Sequence, residues 1–226
     1  MSAYRKTGIF VGALFITATV TAIISLIILG DVLAGPDYLT ASAEAQTRVV
    51  LAVIFETILA VSVMTIGILM FPVLKNVIES LALGYAVIRL VEGVFIVLGS
   101  IGLLSLFTLG QEYAGGSQDA ANFQPAGLLA LALRDWSIVF GTLIFLGLGG
   151  LVLNYLLFNS KLVPRWLSAW GFFGAGLILM TGILSLFGLK PSSSITTMLA
   201  LPIAVQEMVF AVWLILKGFN PYKTGS

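Results

Sequence analysis

The chain has 226 residues, of which 59% are hydrophobic and only 9% are charged, and its formal net charge is +1. A soluble domain carries roughly 25% charged residues, so this composition predicts an integral membrane protein, and the small net charge gives no basis for binding nucleic acid. The absence of cysteine and histidine excludes disulfides, metal sites built from those residues and Ser-His triads, and we expect no cofactor.

Long apolar runs along the chain predict an all-α fold with six transmembrane helices. A helix needs roughly 20 mostly apolar residues to cross a bilayer. The first run, from Gly8 to Leu29, exceeds the ~7–15 residues of a signal-peptide core, so we expect it to be retained as a span. In chain order the predicted spans are 8–29, 49–74, 81–107, 128–158, 167–187 and 195–216. Residues 1–226 are expected to form a single transmembrane domain.

Two longer polar loops, 30–48 and 108–127, separate these spans, and both contain residues that favour turns. Gly35-Pro36 lies in the first loop and Gly115-Gly116-Ser117 in the second. The remaining connections are short. We therefore expect helical hairpins joined by brief turns, with both longer loops on one side of the membrane.

The distribution of lysine and arginine among the loops predicts the orientation of the chain. With the N-terminus in the cytoplasm, only Arg48 and Lys190 fall in outer loops. The residues on the cytoplasmic side are then Arg5, Lys6, Lys75, Lys161, Arg165, Lys217 and Lys223. This bias predicts that both termini are cytoplasmic.

The spans show a weak internal pattern that suggests a repeat. Residues 24–30, 104–110 and 184–189 give similar Ser-Leu-rich endings to the first, third and fifth spans. The second, fourth and sixth spans each carry an acid, namely Glu56, Asp135 and Glu207. Three helical hairpins of one ancestral type would explain the pattern and would bring the acids to one central site. Chance similarity among common membrane residues is the alternative.

Polar and charged residues inside the predicted spans are the strongest functional signal. An ionised side chain at mid-bilayer costs at least about 2.5–3.5 kcal/mol, so such groups must be paired, neutralised or hydrated. The candidate binding residues are Glu56, Arg89, Glu92, Arg134, Asp135, Gln206 and Glu207. With four acids against two arginines, two acids must hold a proton, bind a cation or face water.

The spacing of these residues predicts how they pair. Arg89 and Glu92 are three residues apart, so they share a helix face and can touch. Arg134 and Asp135 are adjacent and diverge by about 100° around a helix. Arg134 is therefore expected to reach an acid on another helix, either Glu56 or Glu207.

Depths counted at ~1.5 Å per residue predict one pocket that opens outward. We expect Arg89 at its floor, with Glu92 near the midplane. The residues expected to share the pocket are Glu56, Arg134, Asp135, Gln206 and Glu207, and Glu92 could join them. The alternative is that these groups only hold the helices together.

Short motifs from about residue 7 to residue 220 also carry a family resemblance. They are Pro36-Asp37-Tyr38-Leu39, Phe71-Pro72-Val73-Leu74, Glu79-Ser80-Leu81-Ala82-Leu83-Gly84-Tyr85, Arg89 with Glu92, Arg134-Asp135-Trp136, Leu162-Val163-Pro164-Arg165-Trp166-Leu167-Ser168, Leu201-Pro202-Ile203-Ala204, Glu207-Met208 and Lys217-Gly218-Phe219. In these motifs the chain resembles the bacterial integral-membrane family called domain of unknown function 4386. The resemblance implies an all-helical fold in a bacterial plasma (inner) membrane and no established activity.

Three classes of function remain open. The surplus of acid favours a small transporter or binding protein for a proton, a cation or an amine-bearing solute. A non-catalytic assembly or lipid-sensing subunit is the alternative. An intramembrane lipid enzyme is the third choice, and it would have to use carboxylates as acid and base. No catalytic residue is assigned, and the lipid bilayer is the expected partner in every case.

Overall fold

The computed structural model describes residues 3–115, 120–189 and 193–220, and within them the chain is helical with no β-strand. A π-helical segment, Val139–Phe145, lies between two α-helices without a break. The α-helices are α1 (Ala3–Leu29), α2 (Tyr38–Glu44), α3 (Gln46–Leu74), α4 (Glu79–Ala114), α5 (Ala120–Ile138), α6 (Leu146–Ser160), α7 (Arg165–Leu186) and α8 (Ser193–Leu216).

The predicted all-α fold with six candidate membrane spans is confirmed for the described residues. The helices that are long and apolar enough are Tyr4–Leu29, Gln46–Leu74, Glu79–Ala114, Phe123–Ser160, Arg165–Leu186 and Ser194–Leu216. The third helix continues past its predicted end at residue 107 as far as Ala114. Because hydropathy marks only the apolar part of a helix, it misses polar turns such as this one.

The predicted loop 30–48 contains a short helix, α2, that the sequence analysis did not anticipate. The hydroxyl of Ser42 lies 2.8 Å from the carbonyl oxygen of Leu39 and 3.1 Å from that of Leu106 in α4. A side chain at Gly110 of α4 would overlap the Leu39 carbonyl. Tertiary contacts with α4 therefore stabilise a helix that is too short to form alone.

The six spans form a ring that follows the order of the chain. Neighbours in sequence pack against each other, and α1 closes the ring by packing against α8. The largest buried apolar cluster lies at the end of the bundle that carries the short connections 75–78 and 161–164. Within it, the rings of Phe15 in α1 and Phe210 in α8 meet edge to face, with centroids 5.5 Å apart.

Both described ends of the chain lie at this same end of the bundle. Arg5 donates hydrogen bonds to the carbonyl oxygens of Leu214 at 3.0 Å and Ile215 at 2.7 Å. The backbone N–H of Asn220 donates to the carbonyl oxygen of Leu162 at 2.8 Å. This placement is compatible with termini on one side of the membrane, and the cytoplasmic orientation and the three-hairpin repeat remain predictions. Lys190 and Lys223, used for the orientation, and Gly116 and Ser117, used for a turn, lie outside the described residues.

Candidate functional site

A carboxylate on α3 that accepts hydrogen bonds from three other helices lies in the half of the bundle nearer the longer loops. Arg134 of α5 donates two hydrogen bonds to Glu56 of α3. One runs from Nη1 to Oε2 at 2.7 Å, and the other runs from Nη2 to Oε1. Ser25 of α1 donates to Oε1 at 3.0 Å, and Ser100 of α4 donates to Oε2 at 2.6 Å. The predicted pairing of Arg134 with an acid on another helix is therefore confirmed, and its partner is Glu56.

Through these contacts Glu56 connects α3 to α1, α4 and α5. Its side chain is 9% exposed and that of Arg134 is 8% exposed. Each carboxylate oxygen accepts two hydrogen bonds, so the charge of Glu56 is fully compensated. Ser25 and Ser100 were not predicted as partners, because a serine inside a span usually bonds to its own helix backbone.

Small residues on α4 allow α5 to approach closely enough for this ion pair. A Cβ atom at Gly102 would lie 3.1 Å from the backbone nitrogen of Arg134, and one at Gly99 would lie 3.5 Å from its Nη1. Close backbone approach at small residues is a common packing mode of membrane helices. Gly102 thus allows the backbones of α4 and α5 to approach closely.

A cavity of about 350 Å³ adjoins the ion pair. It lies between α1 and α5, with α3 and α4 behind it, and it extends to Leu33 in the loop after α1. Most of its lining is apolar, from Ala22, Leu26, Leu29, Leu33, Leu59, Phe95, Ile96 and Ile138. The polar lining residues are Ser25, Glu56, Arg134, Asp135, Ser137 and Thr142.

Asp135 is the carboxylate of this cavity whose charge no described residue compensates. It is exposed and lines the cavity. Among the described residues, no side chain forms an ion pair or hydrogen bond with its carboxylate. Its neighbour Arg134 points to Glu56, as the divergence of adjacent helical residues requires. The cavity therefore combines an apolar wall with one available negative charge.

A second charged cluster lies in the half of the bundle that holds the large apolar core. Arg89 of α4 donates from Nη1 to Glu92 at 3.0 Å and from Nη2 to Glu207 of α8 at 3.1 Å. Its Nε donates to the hydroxyl of Tyr85 at 3.1 Å. The predicted contact between Arg89 and Glu92 is confirmed, while the partnership with Glu207 was not predicted.

The structure corrects the prediction of one shared pocket. Glu56 and Asp135 line the cavity, whereas Glu207 belongs to the Arg89 cluster and does not line it. Gln206 lies in neither site: its Nε2 donates to the carbonyl oxygen of Leu167 in α7 at 3.3 Å. The two sites lie in different halves of the bundle, and counting residues gives neither an exact depth nor the rotation of each helix.

The π-helical segment of the fourth span lies beside the cavity and was not predicted. Phe95 of α4, which lines the cavity, stacks on Phe140 and Phe145 of this segment, with centroids 5.3 and 5.5 Å apart. Wider turns of this kind are rare and occur frequently at functional sites. The segment places Thr142 in the cavity wall, seven residues after Asp135.

Together the spans, the ring of helices and the buried ion pairs define a polytopic helical membrane protein with a cavity beside one of the ion pairs. The chain belongs to the family described as Domain of unknown function (DUF4386), whose family model matches residues 10–218. Comparison with curated proteins and with solved structures found no match. The family membership predicted from the sequence is confirmed, and it carries no activity with it.

Proposed function

We propose that this protein binds a small organic cation with an apolar body in the cavity between α1 and α5, and carries it across a bacterial plasma membrane. The observation that carries the proposal is Asp135, a carboxylate without a cationic partner among the described residues in the wall of an otherwise apolar cavity. A protonated or quaternary amine would supply the missing positive charge. The family and the fold leave the ligand open.

The lining favours an amphipathic cation over a hydrated inorganic ion. Binding a metal ion would need several oxygen ligands, and Asp135 is the one carboxylate of the lining that is not already saturated. The apolar wall offers surface for a hydrocarbon body. A volume of about 350 Å³ is sufficient for a small ligand.

The second candidate function is lipid sensing without transport. It is favoured by the apolar rim of the cavity, where Leu26 is 70% exposed and Ile138 is 42% exposed. An acyl chain lying between α1 and α5 would cover this surface. Such a ligand would not need the charge of Asp135, and this difference separates the two candidates.

Equilibrium binding of a matched pair of probes to the protein in lipid nanodiscs tests the proposal. The probes are benzyltrimethylammonium and neopentylbenzene, its neutral carbon isostere. We expect the cation to bind and Asp135→Asn to weaken it at least tenfold, about 1.4 kcal/mol. The control Glu112→Gln removes an exposed acid at the end of α4 and should leave binding unchanged.

Two results would reject cation binding. One is equal binding of both probes, and the other is unchanged cation binding in Asp135→Asn. Competition by long-chain lipid that is insensitive to Asp135→Asn would favour lipid sensing instead.

A further inference from the structure

The charges of the Arg89 cluster do not balance. One guanidinium contacts two carboxylates, with Nη1 3.0 Å from Glu92 and Nη2 3.1 Å from Glu207. The side chains of Arg89, Glu92 and Glu207 are 2%, 4% and 17% exposed. If both carboxylates were ionised, the cluster would carry a net negative charge in a low-dielectric environment. Such a charge is costly unless a positive species compensates it.

The surroundings of the cluster supply no such species from the described residues. Tyr85 is a neutral phenol whose hydroxyl accepts a hydrogen bond from Nε of Arg89. On the side of α1, the ring of Phe15 lies 5.5 Å from the guanidinium carbon. Gly67 of α3 and Gly149 of α6 are the neighbours on two further sides. The compensating charge must therefore be a small ion or a proton.

The hydrogen bonds distinguish the two carboxylates. Both oxygens of Glu92 face Nη1 of Arg89, at 3.2 and 3.0 Å. Glu207 accepts through Oε1 alone, and its Oε2 accepts no hydrogen bond from the described residues. The described chain also contains no group of three acidic side chains suited to a metal ion. A proton on Oε2 of Glu207 would neutralise the cluster and leave every observed contact in place.

We propose that Glu207 is a proton-binding site that holds a proton on Oε2 at neutral pH, while Glu92 stays ionised against Arg89. This site is distinct from the cavity, because none of these three residues lines it. The inference does not depend on the cation proposal. Buried membrane acids that exchange protons are the usual elements of proton relays, so a change in the Arg89–Glu207 contact would release or take up a proton.

Infrared difference spectroscopy between neutral and alkaline pH, on protein in lipid nanodiscs, tests the site. Asp135→Asn serves as the background, so that this free carboxylate contributes nothing. We expect the carbonyl-stretch band of a protonated carboxylic acid at neutral pH, and carbon-13 labelling of glutamate carboxyls should shift it. Glu207→Gln should remove the band. Glu92→Gln should also remove it, because Glu207 would then be the sole counter-ion of Arg89 and would ionise.

Glu44→Gln, which alters an exposed acid in α2, is the control and should leave the band intact. The proposal is overturned if the background protein shows no such band, if glutamate labelling does not shift it, or if it survives either substitution. Should Glu207→Gln fail to fold, the labelled spectrum and Glu92→Gln still test whether the cluster holds a proton. These spectroscopic outcomes do not depend on the binding of benzyltrimethylammonium, which is tested with the variant Asp135→Asn.

Discussion

Arg134 of α5 and Glu56 of α3 form a buried bidentate ion pair, although they are 78 positions apart in the chain. The serines at positions 25 and 100 complete the shell of the carboxylate, so the pair joins four helices. Both members of the ion pair form part of the cavity wall. Because Arg134 pairs with Glu56, it does not form an ion pair with its neighbour Asp135.

The first prediction concerns this pair. Arg134→Ala would leave the buried Glu56 carboxylate without a counter-ion, a change that typically costs about 3–5 kcal/mol. The unfolding temperature in detergent should therefore fall sharply. Adding Glu56→Gln should restore part of the loss, because the remaining amide is neutral. Purely additive losses in the double variant would show that the two residues are not coupled.

A matched pair of glycines in α7 tests the helix packing. A Cβ atom at Gly174 would lie 2.8 Å from the backbone nitrogen of Ile203 in α8, whereas one at Gly176 would meet nothing within 4 Å. Gly174→Ala should lower the unfolding temperature because α7 and α8 must separate. Gly176→Ala should leave it unchanged or raise it, since alanine is favoured over glycine in helices by about 0.5–1 kcal/mol. The opposite order would contradict the described contact between α7 and α8.

The sequence predicted the spans and part of the pairing. Arg89 and Glu92 lie on one helix, so their spacing alone puts them in contact. For Arg134 the sequence left Glu56 and Glu207 as alternatives. The choice depends on how each helix is rotated about its axis. Membrane helices are apolar on every face, so hydropathy does not show which face points inward.

Three features of the cavity had no clear signal in the sequence. The π-helical segment Val139–Phe145 lies within a largely apolar run. Because apolar residues occur on every face of such a helix, one wider turn does not change the visible hydrophobic pattern. Asp135 was recognised as a candidate, but its lack of a partner depends on where Arg134 points. The cavity itself arises because α1 and α5 do not pack extensively against each other, which only the assembled ring reveals.

The predicted orientation can be tested directly because the chain contains no cysteine. Lys75→Cys and Glu112→Cys introduce single thiols at exposed positions near opposite ends of the bundle. In intact cells, a membrane-impermeant maleimide should label position 112 and spare position 75, which should react only after the membrane is opened. Labelling of position 75 alone would invert the orientation, and labelling of both would argue against the span arrangement.

Filling the cavity tests its role without altering any charge. Ala22 of α1 lines the cavity, so Ala22→Phe should occupy part of its volume and reduce benzyltrimethylammonium binding at least about tenfold, or ~1.4 kcal/mol. Ala13, on the exposed face of the same helix, provides the control Ala13→Phe, which should bind normally. Titration of both variants in nanodiscs makes the comparison. Equal affinity in the two variants would place the ligand elsewhere.

The central claim is that Asp135 enables an organic cation to cross the membrane through this protein. The most direct test is uptake of radiolabelled benzyltrimethylammonium into proteoliposomes containing the wild-type chain, Asp135→Asn or Glu112→Gln. We expect saturable uptake above that of protein-free liposomes for the wild type and Glu112→Gln, and loss of that uptake in Asp135→Asn. Uptake by Asp135→Asn equal to that of the wild type, or no wild-type uptake above the protein-free level, would contradict the central claim.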